Sequence, residues 1–267
     1  MKKYLETAKL LFKVQIVYRF DVALTGLAAA GRIVFAWIVW GAVFSGRERV
    51  GDFSLESMLS YYVVSSFLAS LEIAQGVSGE VSARILNGTF SKYMVLPVNI
   101  QGYVMSQNFG AAAFYALFGF LGAAVCTLVF RIDLIITTDP VRILSAVIII
   151  FLGLSFMVSW HYFIGLLAFK FQDMGFFLHV QGNILAFLTG TMVPLSLLPR
   201  SVALVLEYLP FYYVTYYPAM LLTGGAGFSA SELLRGLGIT AFWTAVMAAV
   251  AELCYHRLRG RYDGVGI

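Results

Sequence analysis

The chain is poor in charge. Only 12% of its 267 residues are Asp, Glu, Lys or Arg, about half the share carried by a soluble domain, near 25%. Such a chain has too little polar surface to coat itself in water, which excludes an ordinary soluble globule. Cysteine is scarce too: Cys126 and Cys254 both lie inside apolar runs, where they read as small buried hydrophobes rather than a disulfide or a metal pair. The three histidines, His161, His179 and His256, have no metal-ligand spacing. His161 and His179 read as core or interface residues and His256 as solvated. No G-x-x-x-x-G-K-[ST], H-E-x-x-H or G-x-S-x-G occurs, so the sequence shows no phosphate cradle, zinc-protease site or nucleophile elbow. We therefore expect no catalytic residue, metal or bound cofactor on this chain.

What is present is apolar. Hydrophobic residues make up 60% and the mean hydropathy is +0.85. The fold class expected is all-α integral membrane, with six transmembrane helices at roughly 23–44, 55–74, 104–130, 142–168, 175–196 and 234–255. Each is long enough for about 30 Å of hydrocarbon at 1.5 Å per residue. Residues 1–20 are expected to form an amphipathic interface helix, with Lys2, Glu6, Lys9 and Lys13 on one narrow face. Lys2 and Lys3 resemble the start of a signal peptide, but Glu6, Lys9, Lys13 and Arg19 interrupt any apolar core for one. With the N-terminus inside, eleven Lys and Arg fall on inner segments and six on outer ones. That bias puts both termini in the cytoplasm of a multi-pass cell-membrane protein. It also accounts for the net charge of +4 without a nucleic-acid partner. The chain is read as one membrane domain, residues 1–267, in contact with membrane lipid.

Four of the six prolines cluster at Pro194, Pro199, Pro210 and Pro218. They bound two apolar pieces too short to span, so residues 197–223 are expected to form a re-entrant helical hairpin before the last span. Ser229 or Ser231 would cap that span. Arg32 stands mid-way along the first span, where a lone charge is unfavourable. It reads as part of a substrate pathway or as an intramembrane pair with Glu72. Glu252 is expected to pair with arginines of the basic tail.

The segment "GEVSARILNGTFSKYMVLPVN" at 79–99 is a polar insert between two membrane-length runs. Glu80 and Arg84 are placed to pair, Gly88 to end a short helix and Pro97 to stop a second turn. Val81, Ile85, Leu86, Phe90, Tyr93 and Met94 interleave with Glu80, Arg84 and Lys92. So many large apolar residues suit a surface that presses on a partner. They also suit a loop packed on its own bundle.

Three stretches carry a family resemblance. "VSARILNGTFSKYMVLPVN" resembles the cytoplasmic segment of ABC-2-type ABC transporter permeases. "GTMVPLSLLPRSVALVLEYLPFYYVTYYPAMLLTGG" resembles the proline-bounded block of that family, and "RGRYDGVGI" its terminal segment. The chain is thus similar to the small six-span subfamily over nearly its whole length. The resemblance implies the membrane subunit of an ATP-driven exporter of drugs, antibiotics or lipid-like molecules. Two permeases, as a homodimer or heterodimer, would form the pathway, and ABC ATPase subunits would carry ATP and Mg. A coupling-helix region at 77–96 would contact the ATPase through Glu80, Arg84, Ile85, Phe90 and Lys92. An ion-coupled secondary transporter and a lipid-modifying membrane enzyme are the competing classes. The first would need inverted repeats, the second convergent reactive groups at one depth, and neither pattern is clear.

Overall fold

A computed structural model describes residues 2–171, 173–224 and 228–262. The chain folds as helices α1 (Lys2–Val17), α2 (Arg19–Val43), α3 (Leu55–Leu71), α4 (Gln75–Leu86), α5 (Ser91–Met94), α6 (Ile100–Phe130), α7 (Pro140–Leu166), α8 (Gly175–Leu188), α9 (Arg200–Leu206), α10 (Tyr216–Leu222) and α11 (Ala230–Leu258). Among the described residues the sole strand-like pairing is one antiparallel bridge, Val50–Phe53.

Local signals set the helix starts. Ser54 begins α3 with a reciprocal capping pair to Ser57, and Ser229 begins α11 with one to Glu232, so of the two serines Ser229 is the cap. Asp139 accepts from the Val141 N–H at 2.9 Å and precedes Pro140 at the first position of α7. The Asn99 side chain accepts from the Gly102 N–H at 2.7 Å to open α6.

Among the described residues, five helical stretches are long and apolar enough to cross a membrane: Ala23–Val43, Leu55–Leu86, Ile100–Phe130, Pro140–Phe169 and Ala230–Leu258. The stretch expected as a crossing at 175–196 is different. Its helix α8 has 14 residues, about 21 Å of rise, short of the hydrocarbon thickness. The helix stops at Leu188 because Gly190 takes a positive φ of 77° and Pro194 follows. The unwound backbone beyond it is not left bare. Tyr61 donates to the Gly190 carbonyl at 2.7 Å, Tyr62 to that of Met192 at 2.8 Å, and the Tyr216 N–H to that of Thr189 at 3.0 Å. Irregular backbone at membrane depth is tolerated only where the protein satisfies it. The segment goes on to Leu197, which touches the loop at Gly51.

Helix α3 is buried nearly all round, whereas α2, α6 and α11 turn most of their apolar surface outward. That inverted distribution is stable only with lipid or protein against the outer faces. Helix α1 runs beside the first half of α6, with Tyr4 against Gly102, Ala8 against Gly110 and Phe12 against Phe114. Both ends of the described chain lie beside the α4–α5 segment. Lys3 Nζ donates to the Pro97 carbonyl at 3.2 Å, the Asn99 N–H to Tyr4 Oη at 3.1 Å, and the Ser91 N–H to Tyr262 Oη at 3.2 Å.

The proline-rich segment folds inward. After α9 the turn Pro210–Tyr213 packs at mid-height on α7. There a Cβ on Gly153 would stand 3.2 Å from Val214 Cα and 3.3 Å from the Tyr213 carbonyl oxygen. Helix α10 then returns outward, and the Leu222 carbonyl accepts from the Thr137 N–H at 2.8 Å, just before α7 starts.

Candidate functional site

The α4–α5 insert is built from a turn that only glycine makes easily. Gly88 closes α4 at φ 71°, and the Thr89 and Phe90 N–H groups return to the Arg84 carbonyl at 2.9 and 3.0 Å. That reversal satisfies the helix end and swings Phe90 beneath the insert. Phe90 is fully buried, its ring 5.3 Å from Phe169, 5.5 Å from Tyr93, 6.4 Å from Tyr255 and 6.2 Å from Tyr262. Ile85 and Val81 are buried on the same side. Val81 lies so close to α7 that a Cβ on Gly165 would meet it at 2.7 Å. Ile85 and Phe90, expected on a docking surface, therefore face the bundle. Their spacing served to fasten the insert, because burying an aromatic ring in the chain's own core is worth more than exposing it.

Glu80 and Arg84 do pair, one helical turn apart. Arg84 Nη2 and Nε both donate to Glu80 Oε1, at 2.8 and 3.0 Å. Tyr93 Oη donates to the same oxygen at 3.2 Å, and the guanidinium lies 4.8 Å over the Tyr93 ring. Burial, with Glu80 beside it, pushes the Tyr93 phenol up to about 12, so it stays a donor to Glu80 at neutral pH. The three side chains brace α4 against α5. Both charged members remain about half exposed. Lys92 is exposed, and so are Met94 and Val95, the latter by 80%.

The prolines each begin a turn or a helix. Pro194 precedes the turn Leu195–Leu197, Pro199 precedes α9, Pro210 opens the turn Pro210–Tyr213, and Pro218 sits in the first turn of α10. A missing N–H costs nothing at those positions.

Arg32 and Glu72 line one cavity of about 280 Å³, walled by α2, α3, α4, α7, α8 and the turn at Val214–Thr215. They do not form the expected ion pair: among the described residues no basic group other than His161 lies within 4.0 Å of Glu72. Glu72 instead ends α3, where its Oε1 accepts from the Ala74 N–H at 3.2 Å. It stands 3.9 Å from His161 Nε2, also on the cavity wall. Gln75, Thr189 and Thr215 add polar lining. Glu252 also differs from expectation. It accepts from Asn99 Nδ2 and meets His256 Nε2, both at 3.0 Å, and among the described residues it has no ion pair with Arg257 or Arg259.

A family model described as ABC-2 family transporter protein matches residues 30–266. The chain belongs to the ABC-2 transporter family. A search of curated proteins finds no match. As an ABC-2 permease the chain is a multi-pass membrane subunit for transport, not itself an enzyme. A braced insert bonded to both chain ends can carry a push, and a polar cavity inside the bundle can receive a polar group.

Proposed function

We propose that this ABC-2 permease is the membrane half of an ATP-driven exporter. It pairs with a second permease, identical or similar, to form a pathway in the cell membrane for an amphipathic or hydrophobic cargo. ABC ATPase subunits bound on the cytoplasmic side hold ATP and Mg and supply the energy. The observation that carries the reading is the insert: a helix pair rigidly seated on α7 and on the Tyr255–Tyr262 end of the chain, with a charged outer face. Alternating access needs a free-energy difference between two states, and a chain with no nucleotide motif must receive it through such a contact. Lys92, with Met94 and Val95, forms the outward face. Glu80 and Arg84 brace that face and reach the ATPase with their exposed edges, while Ile85 and Phe90 seat it from beneath.

The topology of the proposal has six crossings and both termini in the cytoplasm. Five crossings would leave the chain ends on opposite faces, yet both ends lie beside the insert. The stretch from Gly175 to Leu197 supplies the sixth passage, part helix and part tyrosine-bonded backbone. Residues 197–223 enter from the outer side, turn at Pro210–Val214 and leave again as a re-entrant hairpin. Helix α1 lies at the inner interface. The excess of Lys and Arg on the insert side supports this orientation.

The test is reconstitution. Purified alone, the permease is expected to hydrolyse no ATP. Co-expressed with its ATPase, it is expected to give a complex of two permeases and two ATPases whose transport stops with vanadate. Transport driven by an ion gradient without any ATPase would overturn the proposal. Cysteine placed at Arg200 is expected to label from outside, and labelling of cysteine at Glu207 from the cytoplasm would overturn the hairpin.

A further inference from the structure

The cavity beside Glu72 holds one buried group that lacks a partner. His161 is 1% exposed, and among the described residues its Nε2 has no hydrogen-bond partner. Its tautomer follows from the bonds around it. The Ser78 hydroxyl has one hydrogen and donates it to the Gln75 carbonyl at 2.9 Å. Toward its other two neighbours, His161 Nδ1 and Gln181 Nε2, both at 3.4 Å, Ser78 Oγ is therefore the acceptor. The hydrogen of neutral His161 is thus assigned to Nδ1, and Nε2 presents a lone pair. That lone pair faces the Glu72 carboxylate across 3.9 Å, too far for a hydrogen bond. The two acceptors stand opposite each other inside the bundle; among the described residues Glu72 has the Ala74 N–H and His161 Nε2 has no donor, and a buried acceptor left unmade is unfavourable.

Donor geometry narrows what answers them. One hydroxyl has a single hydrogen and serves one acceptor. A quaternary ammonium has charge but no N–H. A protonated primary amine has three donors and the charge that a desolvated carboxylate lacks. Arg32, the one basic side chain besides neutral His161 among the lining residues, disfavours a bare cation and favours an anion. The volume, about 280 Å³, lies at the lower edge of ligand pockets and suits a head group rather than a bulky molecule. We infer that this cavity binds a head group carrying both a protonated primary amine and an anion, the ammonium bridging Glu72 and His161 Nε2 and the anion facing Arg32. The anion is a phosphate if the ligand is an aminophospholipid and a carboxylate if it is an amino-acid-like cargo. The inference gives a ligand class to the pathway proposed above and rests on that reading for transport. Binding itself requires no ATPase.

The experiment uses the full-length permease without ATPase, in nanodiscs of phosphatidylcholine, with empty discs as reference. Titration calorimetry follows dihexanoyl-phosphatidylethanolamine, 2-aminododecanoic acid, dodecylamine and dihexanoyl-phosphatidylcholine. Saturable binding is expected for at least one of the two amine zwitterions. The trimethylated phosphatidylcholine is expected to bind at least about tenfold more weakly, as is either zwitterion to Glu72→Gln. Binding by the phosphatidylethanolamine alone identifies a lipid, and by the amino acid alone a cargo. Ser78→Ala, which keeps the helix but frees the His161 hydrogen to move to Nε2, is expected to weaken binding severalfold. That variant holds the test open if Glu72→Gln fails to fold. Arg32→Gln is expected to weaken the zwitterions and spare dodecylamine. Equal binding of the trimethylated probe, unchanged affinity in Ser78→Ala, or no saturable binding of either zwitterion would each overturn the inference. None of these results bears on whether an ATPase drives the permease, so the two readings fail separately.

Discussion

The insert at 75–94 and the proline-rich segment at 199–222 are built alike and used differently. Each is a pair of short helices with a tight turn between, and each packs on α7, one over Gly165 and the other over Gly153. The insert buries one side and leaves Glu80, Lys92, Met94 and Val95 exposed. The proline-rich segment is buried on nearly every side from Pro210 to Leu221, and its tyrosines bond to backbone: Tyr213 to the Glu207 carbonyl at 2.8 Å and Tyr217 to that of Glu232 at 3.0 Å. Local architecture thus does not assign the role; what each pair leaves unburied does. A half-exposed pair is free to meet another chain, and a pair whose second half is enclosed, though α9 is not, closes space within its own.

The largest expected effect breaks the insert at its seat. Phe90→Ala removes a ring with no exposure from among four aromatic neighbours. A loss of about 3–5 kcal/mol is expected, read as a lower temperature for loss of the monodisperse peak in size exclusion. A Phe90→Ala protein of unchanged stability would mean that the insert is not seated by its aromatic underside. Next comes Gly153→Leu, beneath the enclosed pair. Its side chain must displace Val214 and the Tyr213 carbonyl, both of which are backbone-held. Overpacking of about 1–3 kcal/mol is expected, and a stable variant would show that the turn is looser than its enclosure implies.

How much of this the sequence disclosed depends on the range of the signal. A serine cap at Ser229 or Ser231, Gly88 as a helix end and the prolines as bounds of short pieces were legible, because each works within four residues of itself; the choice of Ser229 came from the structure. The pairing of Glu80 with Arg84 was legible for the same reason. The inward direction of Phe90 was not: it lies beyond the Gly88 reversal, where helical phase no longer predicts a face. The early end of α8 was half legible, since Gly190 and Pro194 stand where the expected span should continue. The tyrosines that make that ending tolerable lie over a hundred positions away on α3. The Glu72–Ser78–His161 cluster had no spacing to read, because α7 brings His161 to it from 83 residues beyond Ser78. Arg32 and Glu72, read as part of a pathway or as an intramembrane pair, line one cavity without pairing among the described residues. Pattern places charges at a depth but does not measure the gap between them.

A smaller pair of effects sharpens the contrast. Tyr213→Phe and Tyr93→Phe each delete one hydroxyl. The first strands the part-buried Glu207 carbonyl, with an expected loss of about 1 kcal/mol. The second takes one donor from Glu80, which keeps Arg84 at 2.8 Å and reaches water, and about 0.5 kcal/mol or less is expected. Thermal stability of the two variants measured side by side decides it. Equal losses would show that the insert is as enclosed as the hairpin, and the distinction between them would fall.

The smallest effect on stability is expected where the effect on coupling is greatest. Lys92 is exposed and, among the described residues, has no acidic partner within 4.0 Å, so Lys92→Glu should leave the folded permease within about 0.5 kcal/mol of the parent. In the complex with ATPase the same change reverses an exposed charge on the insert's outer face. Like-charge juxtaposition across an interface is strongly unfavourable, so ATP-dependent transport should fall severalfold while complex assembly weakens with it. Restoring salt should not rescue transport if the contact is buried in the complex, since screening acts on exposed charges. The paired control is Arg200→Glu, an exposed cation beside the enclosed pair, which should change neither stability nor coupling. If the two reversals behaved alike, the insert would not be the surface through which energy enters. If Lys92→Glu transported normally while Phe90→Ala did not, the insert would serve its own bundle alone, like the hairpin it otherwise contrasts with.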